Sequence, residues 1–113
     1  MDRDSTRPDP LGAVLQRALG RRRLAAVLTE ATIAARWEEA VGPQVAARAR
    51  PEGLREGVLT LRVASAPWMS ELSLRKPRLL ARINAVAGAP PDRPAVTDLR
   101  FVAGQVAPPA PPP

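Results

Sequence analysis

The 113-residue sequence contains no cysteine, no histidine and no tyrosine. These absences exclude disulfides, thiol chemistry, zinc sites built from Cys and His, and catalysis by an imidazole acid or base. Aromatic residues are also scarce, with two Trp and one Phe, which leaves few rings on which a nucleic-acid base could stack. A chain of this length forms one domain with a modest core, so a two-domain enzyme is excluded as well.

No part of the sequence has the character of a membrane or export segment. None of its apolar runs approaches the roughly 18–20 residues that a membrane-spanning helix needs. Residues 1–8 carry charges where a signal peptide has its apolar core. We therefore expect a cytoplasmic protein with no membrane partner.

Positive charge is the first property that suggests a partner. Lys and Arg total 17 against 11 Asp and Glu, a formal net charge of +6, and Lys76 is the only lysine. Such an excess favours contact with a polyanion such as nucleic acid. However, Ala, Arg and Pro make up 51 of the 113 residues, a bias that GC-rich coding also produces without any change in function. The position of the arginines therefore matters more than their number.

The distribution of apolar residues predicts one folded domain at residues 9–103 between two disordered ends, residues 1–8 and the Pro-rich residues 104–113. Within the domain, the periodicity indicates helix, helix, strand, strand, broken helix and strand, in that order. A three-stranded sheet with helices on one face would bury the apolar side of each element. We therefore predict an α+β fold.

The first two helices have recognisable ends. Asp9 can cap the first helix and Pro10 suits its first position, and Gly20 ends it after an apolar face that we expect to be buried. The second helix follows directly, with a break expected near Thr29, and ends at Gly42-Pro43.

The remaining elements are two strands, a helix and a third strand. Alternating apolar residues predict strands at residues 45–50 and 59–64, joined by a loose turn, and at residues 96–102. Ser65 opens the third helix, which Pro77 must kink or split.

Four arginines fall on the alternate positions that would face away from the helices, together with one acid, Asp98. They are Arg48, Arg50, Arg62 and Arg100. An open basic sheet face could neutralise several phosphates and bind nucleic acid with an affinity that falls steeply with salt. The alternative is that these arginines only occupy the solvated side of half-exposed strands.

Two further basic clusters lie on helices. The first surrounds Pro77 and consists of Arg75, Lys76, Arg78 and Arg82. The spacing of 75, 78 and 82 places three cations on one helical side, as a contact surface or as an ordinary solvated face. The second cluster, Arg21–Arg23, can compensate the dipole of the helix that ends at Gly20.

The aromatic and acidic residues do not indicate an active site. Trp37 and Phe101 lie on apolar stripes and are expected in the core, whereas Trp68 either covers the junction of strand and helix or contacts a partner. Glu38 and Glu39 are adjacent on a helix and point in different directions. We predict no enzyme, no catalytic residue, no metal site, no cofactor and no small-molecule substrate.

Several stretches of the sequence resemble the conserved core of the DciA family, bacterial proteins that assist loading of the replicative helicase. They are residues 37–42, Pro51 and Leu54, residues 57–72, Leu79-Leu80, Ile83-Asn84 and residues 98–101. The specific feature is the pairing of W-x-x-x-V-G with G-V-L-x-L-x-V-x-S-x-x-W-x-x-E-L at this separation. The resemblance covers about residues 30–103.

The resemblance implies a fold similar to a type II KH domain and a role in replication through a hexameric replicative helicase and DNA, at the nucleoid. The G-x-x-G loop of nucleic-acid-binding KH domains is absent, so KH-style RNA binding is not expected. The short tail beyond Gly104 is Pro-rich and uncharged, whereas many family members carry an additional region that takes part in DNA or helicase contact.

On this basis we expect two contact surfaces. The residues expected to meet the helicase are Trp68, Glu71, Arg75, Lys76, Arg78 and Arg82. The residues expected to hold DNA phosphates, without sequence preference, are Arg48, Arg50, Arg62 and Arg100. Two alternatives remain: a general RNA- or single-strand-binding module with no helicase partner, and a structural adaptor whose charge reflects codon bias alone.

Overall fold

A computed structural model of the chain describes residues 10–106. Its elements, in chain order, are α1 (Pro10–Leu19), α2 (Arg21–Ala35), α3 (Trp37–Val41), α4 (Pro43–Ala46), β1 (Ala49–Arg55), β2 (Val58–Val63), α5 (Ala66–Leu74), α6 (Lys76–Ala87) and β3 (Asp98–Ala103). The predicted cap at Asp9 and the predictions for residues 1–8 and 107–113 concern residues outside the described range.

The three strands form one sheet in the order β1-β2-β3. β1 pairs with β2 antiparallel, and β2 pairs with β3 in parallel; a parallel pair needs a crossover, which α5 and α6 provide. Along β2 the buried side chains of Leu59, Leu61 and Val63 alternate with partly exposed ones, so one face of the sheet packs against the helices. The predicted α+β fold and three-stranded sheet are confirmed, and the element order is compatible with a KH-like fold.

The second predicted helix divides at Arg36, and the expected break at Thr29 is wrong. α2 continues through Thr29, because one Thr lowers helix propensity by less than about 1 kcal/mol. Arg36 leaves the helical region at φ −117° and ψ 28°. Its guanidinium donates to the Val86 carbonyl at 3.1 Å and pairs with Glu39 at 2.6 Å, and these contacts hold the junction of α2 and α3.

The predicted strand at residues 45–50 is wrong for residues 45–48, and only Ala49 and Arg50 lie in a strand. Gly42, at φ 88°, separates α3 from the short helix α4, in which the consecutive residues Val45 and Ala46 are both buried. A strand cannot bury two consecutive side chains on one face, so the apparent period of two belongs to a helical turn. The strand instead runs over Ala49–Arg55, most of which the sequence pattern had assigned to a turn.

A tight turn joins β1 to β2, in place of the loose connection expected. Glu56 and Gly57 have φ of 50° and 81°, as a two-residue type I′ turn requires. The register shifts between Pro51 and Gly53. Such a bulge on an edge strand tolerates the missing N–H of proline, and this allows the hairpin to extend as far as the turn.

The apolar face of α1 is not buried, contrary to expectation. Leu11, Val14 and Leu15 are 64%, 54% and 36% exposed, and no residue of α1 is buried. α1 packs on α2, while α2, α4, α5 and α6 contact the strands. The covered face of the sheet is therefore occupied before α1 could reach it.

Arg21–Arg23 occupy a different position from the one expected. They follow the end of α1, but they also form the first turn of α2, which has no acidic residue there and no side-chain cap. The negative end of α1 and the positive end of α2 both act on them. The three cations therefore compensate the dipole at the end of α1 but not at the start of α2.

The long third helix is split as predicted. The Ser65 hydroxyl accepts a hydrogen bond from the Trp68 backbone N–H at 3.4 Å and caps α5. Arg75 separates α5 from α6, and Pro77 lies in the first turn of α6, where its missing N–H is harmless.

Candidate functional site

The open face of the sheet brings together three of the four arginines predicted to share it. Arg50 of β1 lies opposite Arg62 of β2, and Arg100 of β3 lies opposite Thr60 of β2. These positions alternate with the buried ones. The prediction of a common face is therefore confirmed for Arg50, Arg62 and Arg100.

Arg48 is not a strand residue, contrary to expectation. It lies in the turn between α4 and β1 and is exposed. Its carbonyl accepts the Ala64 N–H at 2.8 Å, which places its backbone beside the end of the sheet. The misassigned strand at residues 45–50 is the cause of this error.

Arg62 is neutralised within the protein. Its guanidinium makes two hydrogen bonds to the Glu52 carboxylate, one of them from Nη2 to Oε1 at 2.8 Å, and donates to the Ala103 carbonyl at 3.1 Å. These hydrogen bonds hold the pKa of the Glu52 carboxyl below its usual range. Arg62 therefore ties the three strands together and offers little charge to a ligand.

The arginines of the open face that remain unpaired are Arg50, Arg100 and one that the sequence analysis missed, Arg55. None of them forms an ion pair with a described residue, and the Nε of Arg50 is buried without a hydrogen-bond partner. Arg55 lies opposite Val58, on the same face. The adjoining Glu-Gly turn was the sequence feature that could have revealed it.

Arg55 and Arg100 line one shallow depression on this face. Its volume is about 410 Å³, and Glu52, Val58 and Thr60 complete most of its lining. Because Glu52 is paired with Arg62, the two free guanidinium groups dominate its charge. The depression can hold an anion such as a phosphate by charge-assisted hydrogen bonds.

Two of the four cations around Pro77, Arg75 and Lys76, form ion pairs within the protein. Arg75 pairs with Glu71 at 2.7 Å, and Lys76 pairs with Asp98 at 3.0 Å while lying 5.8 Å from the centre of the Phe101 ring. The hydrogen bond from Lys76, together with the Leu99 backbone N–H, lowers the pKa of Asp98. Lys76 thus turns towards β3 and connects α6 to the sheet.

The three arginines of this cluster line a groove of about 580 Å³ between α6 and α3–α4. Arg75, Arg78 and Arg82 line it together, as their spacing predicted. Arg78 and Arg82 form no ion pair with a described residue. Leu74, which is 81% exposed, lies among them, so the groove combines apolar surface with a basic rim.

The aromatic residues serve mainly for packing. Trp37 is 2% exposed, as expected for the core, and Phe101 is partly buried. Trp68 is partly buried and packs against the core cluster. This position agrees with the expectation that Trp68 covers the junction of β2 and α5. A base-stacking platform needs an exposed ring, and no Trp of the described residues offers one.

Residues 10–106 contain neither a cluster of metal-binding side chains nor a membrane-spanning helix. No group of three acidic side chains in this range could hold a metal ion. No helix there is long and apolar enough to cross a membrane.

Comparison with known proteins gives one family and several relatives. Residues 10–101 match the family model described as "Dna[CI] antecedent, DciA". A UPF0232 protein of Rhodococcus jostii is 36% identical over 87 residues, which are 77% of this chain and 45% of that protein. A UPF0232 protein of Mycolicibacterium smegmatis is 40% identical over 85 residues, 75% of this chain and 44% of that protein. The match thus covers less than half the length of these relatives.

Proposed function

The chain belongs to the DciA family, and from that membership we propose that it is a non-enzymatic accessory protein of DNA replication. It binds a hexameric replicative helicase and DNA at the nucleoid and assists loading of the helicase. Family membership supports the link to replication. The open sheet face supports the contact with DNA, and the groove around Leu74 supports the contact with the helicase.

One observation carries the proposed DNA contact. Arg55 and Arg100 lie together on the open sheet face, and neither forms an ion pair with a described residue. Arg55 and Arg100 line the same depression, and the carboxylate beside them is held by Arg62. Guanidinium groups bind phosphate oxygens in a bidentate manner. Arg50 adds charge from the same face, and Arg48 adds charge near its end. Binding through such contacts is independent of base sequence.

Salt titration of DNA binding tests this contact. We expect the affinity for a fluorescein-labelled oligonucleotide to fall with salt, and the slope to decrease by about 0.7–0.9 for each phosphate contact removed. Arg55→Gln and Arg100→Gln should each flatten the slope. Arg17→Gln removes the same charge from α1 and should leave the slope unchanged. A flat slope for the unmodified protein, or equal effects of all three changes, would contradict the proposal.

The helicase contact is assigned to the groove around Leu74. Its apolar surface with a rim of Arg75, Arg78 and Arg82 suits a partner segment that presents apolar side chains flanked by carboxylates. Glu71 holds Arg75 at this rim through their ion pair, and Lys76 connects the start of α6 to Asp98 of β3. Trp68, three positions before Glu71 on α5, remains a proposed contact at its side.

Co-elution with the helicase of the same organism at micromolar concentration, after nuclease treatment, tests this assignment. Leu74→Ser and the double change Arg78→Gln with Arg82→Gln should reduce co-elution. Leu28→Ser is the matched control, since Leu28 is 58% exposed on a different helix. Loss of co-elution on nuclease treatment alone would mean that DNA bridges the two proteins, and would reject the direct contact.

A further inference from the structure

A second basic depression lies at the end of the β-hairpin, where α2 passes the turn between β1 and β2. It is a cleft of about 580 Å³. Arg22 and Arg23 line it from α2, Arg55 and Glu56 line it from the hairpin, and Ala25 and Ala26 add apolar surface from α2. The sequence pattern did not indicate that α2 and the turn between β1 and β2 lie side by side.

The charge of this cleft is not compensated within the described part of the protein. None of Arg22, Arg23 and Arg55 forms an ion pair with a described residue, and the four ion pairs found there involve other residues. Glu56 is the only acidic side chain among the described residues that line the cleft. Three free guanidinium groups in one cleft attract an anion.

Arg55 connects this cleft with the depression on the open sheet face. It lines both, together with Arg100 on the sheet side and with Arg22 and Arg23 on the α2 side. A continuous basic path therefore leads from Arg100 across the edge strand β1 to the first turns of α2. Its two ends lie on different sides of the hairpin.

The shape of this path selects the kind of polyanion that can follow it. A DNA duplex is stiff, with a persistence length of about 150 bp, and cannot turn around a single edge strand. A single strand can, and the apolar surface of Ala25 and Ala26 can accept the less polar faces of its sugars and bases. Guanidinium groups spaced along the path suit its phosphates.

We infer that single-stranded DNA runs from the open sheet face around the β1–β2 turn into the cleft formed by Arg22 and Arg23. This inference rests on the proposed DNA contact at Arg55 and Arg100 and names the form of DNA bound there. Duplex DNA reaches only the sheet face.

The test compares fluorescein-labelled oligo(dT) of 20 nucleotides with a 20-bp duplex by anisotropy over a range of salt concentrations. For oligo(dT), the double change Arg22→Gln with Arg23→Gln should weaken binding about tenfold and lower the salt slope by about 1.4. Duplex binding should not change. Arg17→Gln with Arg93→Gln, which removes two exposed arginines that line neither depression, should leave both affinities unchanged.

Replacing Arg22 and Arg23 by lysine distinguishes an effect of lost charge from an effect of lost folding. Arg22→Lys with Arg23→Lys keeps both cations, so oligo(dT) binding should stay within about twofold of the unmodified protein. Equal loss on single strand and duplex, or no loss on oligo(dT) while Arg55→Gln and Arg100→Gln still weaken it, overturns the inference and leaves the proposed DNA contact intact. If Arg55→Gln and Arg100→Gln have no effect, the proposed contact itself is rejected, and the inference with it.

Discussion

The indole Nε1–H of Trp37 donates a hydrogen bond of 2.7 Å to the backbone carbonyl of Ala49. Both residues are buried, at 2% and 0% exposure. The bond joins the first residue of α3 to the first residue of β1 and satisfies a polar group at the point where the chain enters the sheet. A buried carbonyl without such a partner destabilises the folded state.

Trp37→Phe should lower the free energy of unfolding by about 1–3 kcal/mol for the unsatisfied carbonyl, with a further loss for the smaller ring. Urea denaturation measures this change. Trp68→Phe is the matched control, because Trp68 is only partly buried and its indole N–H has no partner among the described residues. We expect a smaller loss there, and equal losses would show that the hydrogen bond to Ala49 contributes nothing.

Gly57→Ala should destabilise the hairpin. Gly57 has φ 81°, and a Cβ there would lie 2.8 Å from the Thr97 Oγ1, which donates to the Gly57 carbonyl at 3.2 Å. We expect a loss of about 1–3 kcal/mol in the free energy of unfolding. Gly53→Ala, where no atom beyond the two neighbouring residues lies within 4 Å of the new Cβ, should change stability by less than about 1 kcal/mol. Thermal unfolding of both variants decides, and a Gly57 variant as stable as the Gly53 variant would refute the prediction.

The Arg62–Glu52 pair should give a pH-dependent contribution to stability. The hydrogen bonds from Arg62 lower the pKa of Glu52 in the folded state. The contribution is therefore complete above the unfolded-state pKa of about 4.3, and is lost as the pH falls from there through the lowered folded-state pKa. Carboxyl NMR titration of Glu52 should show the lowered pKa. Arg62→Gln should return that pKa to its ordinary value, and an unchanged pKa would show that Arg62 is not its cause.

Asn84 should be important for holding the loop before β3. Its Nδ2 donates to the carbonyls of Leu80 and Val96 at 3.0 and 2.8 Å, and its Oδ1 accepts the Val96 N–H at 2.9 Å. Asn84→Ala should reduce stability by about 1–3 kcal/mol and speed hydrogen exchange of the Val96 amide. Gln44→Ala removes an exposed amide and should do neither. Unchanged exchange at Val96 would mean that Asn84 does not hold this loop.

The elements that were predicted correctly are those that local rules determine. β2 shows the period of two over its whole length, Ser65 supplies the cap of α5, and Pro77 cannot lie inside a continuous helix. The residues between Gly42 and Pro51 were assigned wrongly, because a short apolar pattern fits a strand and a helical turn equally well. Pairing with β2, and not local preference, makes Pro51 and Gly53 part of a strand.

The candidate site was predictable to a similar extent. Alternation along the strands was enough to place Arg50, Arg62 and Arg100 on one face. Arg55 was missed because the strand that carries it was taken for a turn. The exposure of α1 was also missed, since an apolar stripe shows what could be buried and not whether the core has room for it.

The sequence alone determined the fold class, the family and the excess of positive charge, because these depend on composition, periodicity and short motifs. Only the tertiary structure decided which cations are free. Arg62 meets Glu52 ten positions away and Lys76 meets Asp98 twenty-two positions away, while Arg55 comes to lie between Arg100 and Arg22. A charge is neutralised by whatever lies within a few ångströms of it, and chain folding alone sets that distance.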